Sequence, residues 1–71
     1  MQRELTDSEV RTLVMCANGY TAKGTARECH RSEHTISDQL SAAYNKLGAR
    51  NAPHAVAIAM ARGIISRGDV L

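Results

Sequence analysis

Four times along this sequence a residue able to cap a helix is followed by a run with helical spacing or helical composition. Three of those runs stop at a glycine: Gly19, Gly48 and Gly63. That punctuation restricts the chain to short helices joined by tight connections, since glycine adopts the left-handed conformation that ends a helix at no steric cost. Thr6 opens the first run. Glu9 stands three residues later and closes a capping box, while Leu5 and Val10 occupy the positions of a hydrophobic staple. Asp7 and Glu9 also place negative charge at the positive end of the helix dipole. Val10, Leu13, Val14 and Ala17 recur at i, i+3, i+4 and i+7, so the spacing predicts a helix over about residues 7–18.

Thr21 caps a second, shorter run over about 22–30, with Ala22, Thr25, Ala26 and Cys29 on its inward face. Gly24 within it costs up to about 1 kcal/mol relative to alanine, which makes this the weakest of the helices. Ser32 is a good cap for a third helix over about 33–47. There Ile36, Leu40, Ala43 and Leu47 form one stripe flanked by Tyr44. Asn51 or Ala52 caps a fourth helix over about 52–62. Pro53 falls in its first turn, where a missing N–H is tolerated, and Arg62 favours its negative end. The tail from Ile64 to Leu71 is expected to pack near Ile64 and Ile65 and then to fray.

The expected fold class is therefore all-α, with residues 1–71 forming one four-helix domain. A chain of 71 residues buries only about 60% of its unfolded surface. It has no Phe, no Trp and two Tyr, so the core must come from Leu, Ile, Val, Met and Ala. Ala55 to Ala61 reads AVAIAMA, and a helix apolar on every side needs cover on every side. Val56, Ala59 and Met60 are expected to face inward, leaving His54, Ile58 and Ala61 on an outer face suited to a homodimer. The N-terminus carries no apolar signal-peptide core, and the longest apolar run is too short to span a bilayer, so a cytoplasmic location is expected.

Cys16 and Cys29 lie thirteen positions apart with no CxxC pair, a spacing that fits free thiols acting as small hydrophobes rather than a metal site. No cofactor is expected. Nor is an enzyme: Cys29 and His30 are adjacent, but adjacent helical residues diverge, so no oriented base and nucleophile can be assembled from them.

Only about three residues, His30 to Ser32, separate the second and third helices. That is the connection length of a helix-turn-helix, whose second helix enters the major groove of DNA. With the stripe of Ile36 buried, the opposite face presents Glu33, His34, Ser37, Asp38, Ser41 and Asn45. His, Ser and Asn are suitable partners for base edges or phosphates. Periodicity alone fits a solvated bundle face equally well. A formal charge of +2 and a pI near 8.8 permit nucleic-acid binding without demanding it.

The stretch LTDSEVRTLVMCANGYTAKGTARECHRSEHTISDQLSAAYNKLGARNAPHAVAIAMARGII resembles a LuxR/FixJ-type DNA-binding domain. Its pattern runs LTxRExEVLxLxAxGxxxKEIAxxLxxSxxTVxxHxxxIxxKLGxxxRxxAVxxAxxxGLI. Leu5, Thr6, Glu9, Leu13, Ala17, Gly19, Lys23, Ala26, Ser32, Thr35, Ile36, Lys46, Leu47, Gly48, Ala55, Val56, Ala59, Gly63 and Ile65 match it without a gap. The resemblance implies four helices with a central helix-turn-helix, a stand-alone regulator because the chain is barely longer than the domain, and dimer contacts through the fourth helix. It also implies that Ser37, Asp38 and Ser41 face bases or nearby phosphates, with Thr21, Lys23 and Thr35 near the backbone.

Ser37 stands where the family commonly has Lys or Arg, Gln39 where it has His, and Ala52 where it has Arg. The remaining cations are Lys23, Arg27 and Arg31 in and after the second helix, and Lys46 and Arg50 around the end of the third. Fewer cations on the third helix mean weaker phosphate attraction. A second function therefore stays open: a module that binds RNA polymerase or titrates another LuxR-type regulator.

Overall fold

The computed structural model describes residues 5–71. Four helices follow one another: α1 (Asp7–Ala17), α2 (Ala22–Cys29), α3 (Glu33–Leu47) and α4 (Ala52–Ala61), with a short 3-10 turn at Arg67–Asp69. Among the described residues there is no strand. The domain is all-α, as its caps and stripes predict. α3 lies at the centre and packs on α1, α2 and α4, while α1 also meets α2 and α4.

Each helix starts where a side chain satisfies an orphan N–H of the first turn. The Thr6 N–H donates to Glu9 Oε1 at 2.9 Å, and the Glu9 N–H donates to Thr6 Oγ1 at 3.1 Å, completing the capping box. Thr21 Oγ1 accepts from the Gly24 N–H, and Ser32 Oγ accepts from the Thr35 N–H. Asn51, rather than Ala52, caps α4, because its Oδ1 accepts from the His54 N–H at 3.0 Å.

All four helices end alike. An N–H five residues ahead bonds back into the last turn: Tyr20 to Met15, Arg31 to Ala26, Ala49 to Tyr44 and Ile64 to Ala59. This is the long bond of a Schellman motif, which needs a left-handed residue just before the donor. Gly19, Gly48 and Gly63 supply it at three ends, and His30, with φ of 56°, supplies it at the end of α2. α1, α2 and α4 accordingly stop one residue short of the expected 18, 30 and 62, because Asn18, His30 and Arg62 are cap residues.

Leu13, Leu47, Ala55, Ala59 and Ile65 form the buried core cluster, joined by Leu5, Val14, Tyr44, Ala49, Val56, Ile58 and Ile64 around it. Ile36, Ala43, Ala26 and Thr25 are also buried. Two packing expectations are corrected. Met60 does not face inward: it is 37% exposed, whereas Ala55 and Ala59 are fully buried. At about 100° per residue, Val56 and Ile58 flank that Ala55–Ala59 line on either side, while His54, Ala57, Met60 and Ala61 point away. Ile58 is therefore half-buried against the core rather than fully outward. The tail does not fray after Ile65. Asn18 Nδ2 donates to the carbonyl of Asp69 at 2.9 Å, and its Oδ1 accepts from the N–H of Leu71 at 2.5 Å. One amide thus seats the last residues against the end of α1.

Candidate nucleic-acid interface

The unit α2–turn–α3 is built by a three-residue connection, His30 to Ser32. The left-handed His30 reverses the chain, and Ser32 starts α3 immediately. Small or short side chains, Thr25 and Ala26, are buried in α2, which permits the close approach of α3. α3 then buries Ile36, Ala43 and Leu47 and leaves Glu33, His34, Ser37, Asp38, Ser41 and Asn45 exposed on its outer side. The face expected from periodicity is thus one continuous surface.

On that surface, His34 Nε2 lies 3.3 Å from Asp38 Oδ2, one turn apart, and both side chains are open to solvent. Thr35 is half-buried. Its hydroxyl accepts from Ser32 Oγ at 2.9 Å, so it bonds locally within the helix start and keeps its own proton for an outside acceptor. Thr21 is exposed at the start of α2, with its oxygen engaged by the cap. Lys23 and Arg27, one turn apart on α2, and Arg31 in the turn are exposed. These exposed cations come from α2 and the turn, not from α3 itself.

The single basic residue of α3 is occupied elsewhere. Lys46 Nζ is 2.8 Å from Glu9 Oε1, with the two side chains only 24% and 9% exposed. Burial pushes the Glu9 carboxyl up, but hydrogen bonds from Lys46 and Thr6 and the Lys46 charge outweigh it and hold it below the usual glutamate value. Gln39 is likewise turned towards α1, where Thr12 Oγ1 lies 2.6 Å from its Oε1. Thr12 Oγ1 also lies 2.9 Å from the carbonyl of Ser8, so its one proton serves both acceptors. Glu9 was legible as a capping-box residue, but its second bond to α3 was not, because nothing in local spacing reveals a partner 37 residues away.

The fourth helix presents His54, Ala57, Met60 and Ala61 outward. His54 Nδ1 accepts from the backbone N–H of Arg50 at 3.1 Å, which leaves Nε2 as the ring nitrogen facing out. Cys16 and Cys29 are free and half-buried, and burial raises the Cys16 thiol above its ordinary value. No cluster of metal-ligating side chains occurs among the described residues. No helix among them is long and apolar enough to cross a membrane.

Comparison with known proteins bears on this unit directly. The luxR family of bacterial regulatory proteins matches residues 3–59, which take in α1, α2, α3 and most of α4. The chain is also 40% identical over 65 residues to the transcriptional regulatory protein YdfI of Bacillus subtilis (strain 168). That alignment covers 92% of this chain and 30% of the relative, so the chain spans less than a third of the relative's length. No solved structure gives a significant match. With the family pattern covering more than half of the chain and the four helices in place, the chain belongs to the luxR family of bacterial regulatory proteins.

Proposed function

We propose that this chain is the DNA-binding part of a transcriptional regulator that acts in the cytoplasm and inserts α3 into the major groove. The observation that carries the reading is the outer face of α3, which is polar and exposed, with Lys23 and Arg27 exposed on α2 before it. A helix of this diameter fits the roughly 12 Å width of the major groove. His34, Ser37, Asp38, Ser41 and Asn45 are then the residues offered to base edges and adjacent phosphates. Thr21, Lys23 and Thr35 are offered to the backbone, where contacts set register rather than sequence. Asp38 can accept from cytosine N4 and repels phosphate otherwise.

The same reading includes a homodimer through α4, with His54, Ala57, Met60 and Ala61 at its centre and Ile58 at its edge. The support is an outer face that is apolar except for His54. Two copies would read half-sites about one helical turn apart.

The loss of Lys46 to Glu9 favours keeping a second reading. With no free Lys or Arg on the outer face of α3, the domain suits binding to RNA polymerase or to another LuxR-type regulator. A mobility shift with random genomic fragments across a salt series separates the two. The DNA reading expects a shift at low salt that weakens steeply as salt rises. No shift at low salt, together with tight binding to a partner protein, establishes the second reading instead.

A further inference from the structure

The face that α3 would turn to a polyanion has no permanent positive charge. Its outward residues are Glu33, His34, Ser37, Asp38, Ser41 and Asn45, so two carboxylates stand there with neither Lys nor Arg. The one Lys of the helix, Lys46, is held by Glu9 at 2.8 Å. His34 is then the only group on that face able to become a cation. Its Nε2 lies 3.3 Å from Asp38 Oδ2, and the two side chains are 87% and 69% exposed.

What this pair offers to a phosphate depends on one proton. A neutral imidazole has a single N–H. Spent on Asp38, it leaves Nδ1 a bare acceptor that a phosphate oxygen cannot use, and the carboxylate keeps its full charge. A second proton, taken from water, makes both ring nitrogens donors. Nε2–H then neutralises Asp38 through a charge-assisted hydrogen bond, and Nδ1–H is left to donate to a phosphate oxygen. Histidine is the side chain that exchanges this proton between about pH 5 and 8.

Asp38 is the one ion partner of His34 among the described residues. Glu33 stands beside it on α3, and His30 and Arg31 precede it in the turn. Of the elements packed on α3, α1 carries Asp7, Glu9 and Arg11, α2 carries Lys23, Arg27 and Glu28, and α4 carries only His54. None of their carboxylates is within ion-pair distance of His34.

We propose that His34 makes DNA binding by α3 proton-dependent: protonated, it neutralises Asp38 and supplies a phosphate contact, and unprotonated it does neither. The proposal rests on the reading of α3 as a major-groove helix. Binding to duplex DNA then tightens as pH falls through the histidine range, with one proton taken up.

The test is fluorescence anisotropy with a labelled random-sequence duplex at fixed low ionic strength, stepped from about pH 8 to about pH 5.5. The wild type should gain affinity on the way down, by up to about tenfold per pH unit, the limit for one linked proton. His34→Gln should bind with a flat profile over the same range. His30→Asn removes a histidine outside the face with a residue that tolerates left-handed backbone, and should keep the wild-type response. In the wild type, the His34 ring signals followed by NMR should change over the same pH interval as the affinity.

Wild-type affinity that is flat in pH, a response that survives in His34→Gln, or one that is lost in His30→Asn overturns the proposal. So do His34 ring signals that titrate outside the interval of the affinity change, a comparison that needs no variant to fold. Each of these outcomes leaves DNA binding itself intact and counts against His34 alone. An absence of binding at every pH counts against the DNA reading and removes the proposal with it.

Discussion

Thr25 lies within α2 and His30 caps its end, and each carries a local cost. Thr25 is fully buried, and its hydroxyl has no hydrogen-bond partner. Valine has the same shape without the orphan donor. Thr25→Val should therefore raise unfolding stability by about 1 kcal/mol in chemical denaturation, since an unsatisfied buried polar group costs about 1–3 kcal/mol. A loss of stability would show that the hydroxyl is satisfied in solution. His30 is the one non-glycine among the described residues with positive φ. His30→Gly should stabilise by up to about 1 kcal/mol, and a β-branched residue there should destabilise, because its Cβ opposes the left-handed conformation. Spacing placed Thr25 inward correctly. It could not show that the hydroxyl lacks a partner, which depends on the acceptors that surround it.

Between elements, the seam of α1 and α3 is where polar pairing matters most. Lys46→Ala would leave the Glu9 carboxylate nearly buried without its cation, and should cost about 1–3 kcal/mol. The same pair predicts a pH dependence. Glu9 titrates below its ordinary value of 4.5 when folded. Between the folded and unfolded values the unfolded chain binds the proton, so stability rises with pH there. The contribution is complete above about 4.5 and is lost as pH falls through the folded value. Glu9→Gln should flatten this acid limb in thermal unfolding measured across pH. An unchanged limb would assign acid sensitivity to other carboxylates. α2 offers a further test at this scale. A Cβ on Gly24 would meet Thr21 Oγ1 at 3.4 Å and Tyr20 Cδ2 at 3.5 Å, ordinary contact distances. Gly24→Ala should therefore stabilise by about 0.5–1 kcal/mol.

The whole molecule adds the demands of partnership. If α4 forms the dimer, Met60→Glu places a charge at the centre of the contact and should give a monomer by sedimentation. Met60 is exposed in the single domain, so the monomer's unfolding should change little. A variant that sediments as the wild type would exclude this face. On DNA, Lys23→Ala should weaken all sequences alike and lower the salt slope by about 1. Ser41→Ala or Asp38→Ala should instead change sequence preference. If Asp38→Lys tightens binding with preference intact, Asp38 only repels the backbone. The contrast between a uniform loss and an altered preference distinguishes positioning contacts from reading contacts.

Local chemistry was enough to place every helix, because a cap, a stripe and a left-handed stop each act within a few residues. Thr6 with Glu9, Ser32 with Ile36 and Leu47, and Gly48 all lie where local rules put them. The outward face of α3 followed from the same period. Only the folded chain decided which charges remain available. Lys46 is neutralised by Glu9 and Gln39 is turned towards Thr12, because α1 packs beside α3. It also decided that Met60 rather than Ile58 stands out from α4, and that Asn18 holds the tail. Those outcomes depend on which helix covers which face. A run such as AVAIAMA, apolar all round, has no orientation of its own until its neighbours supply one.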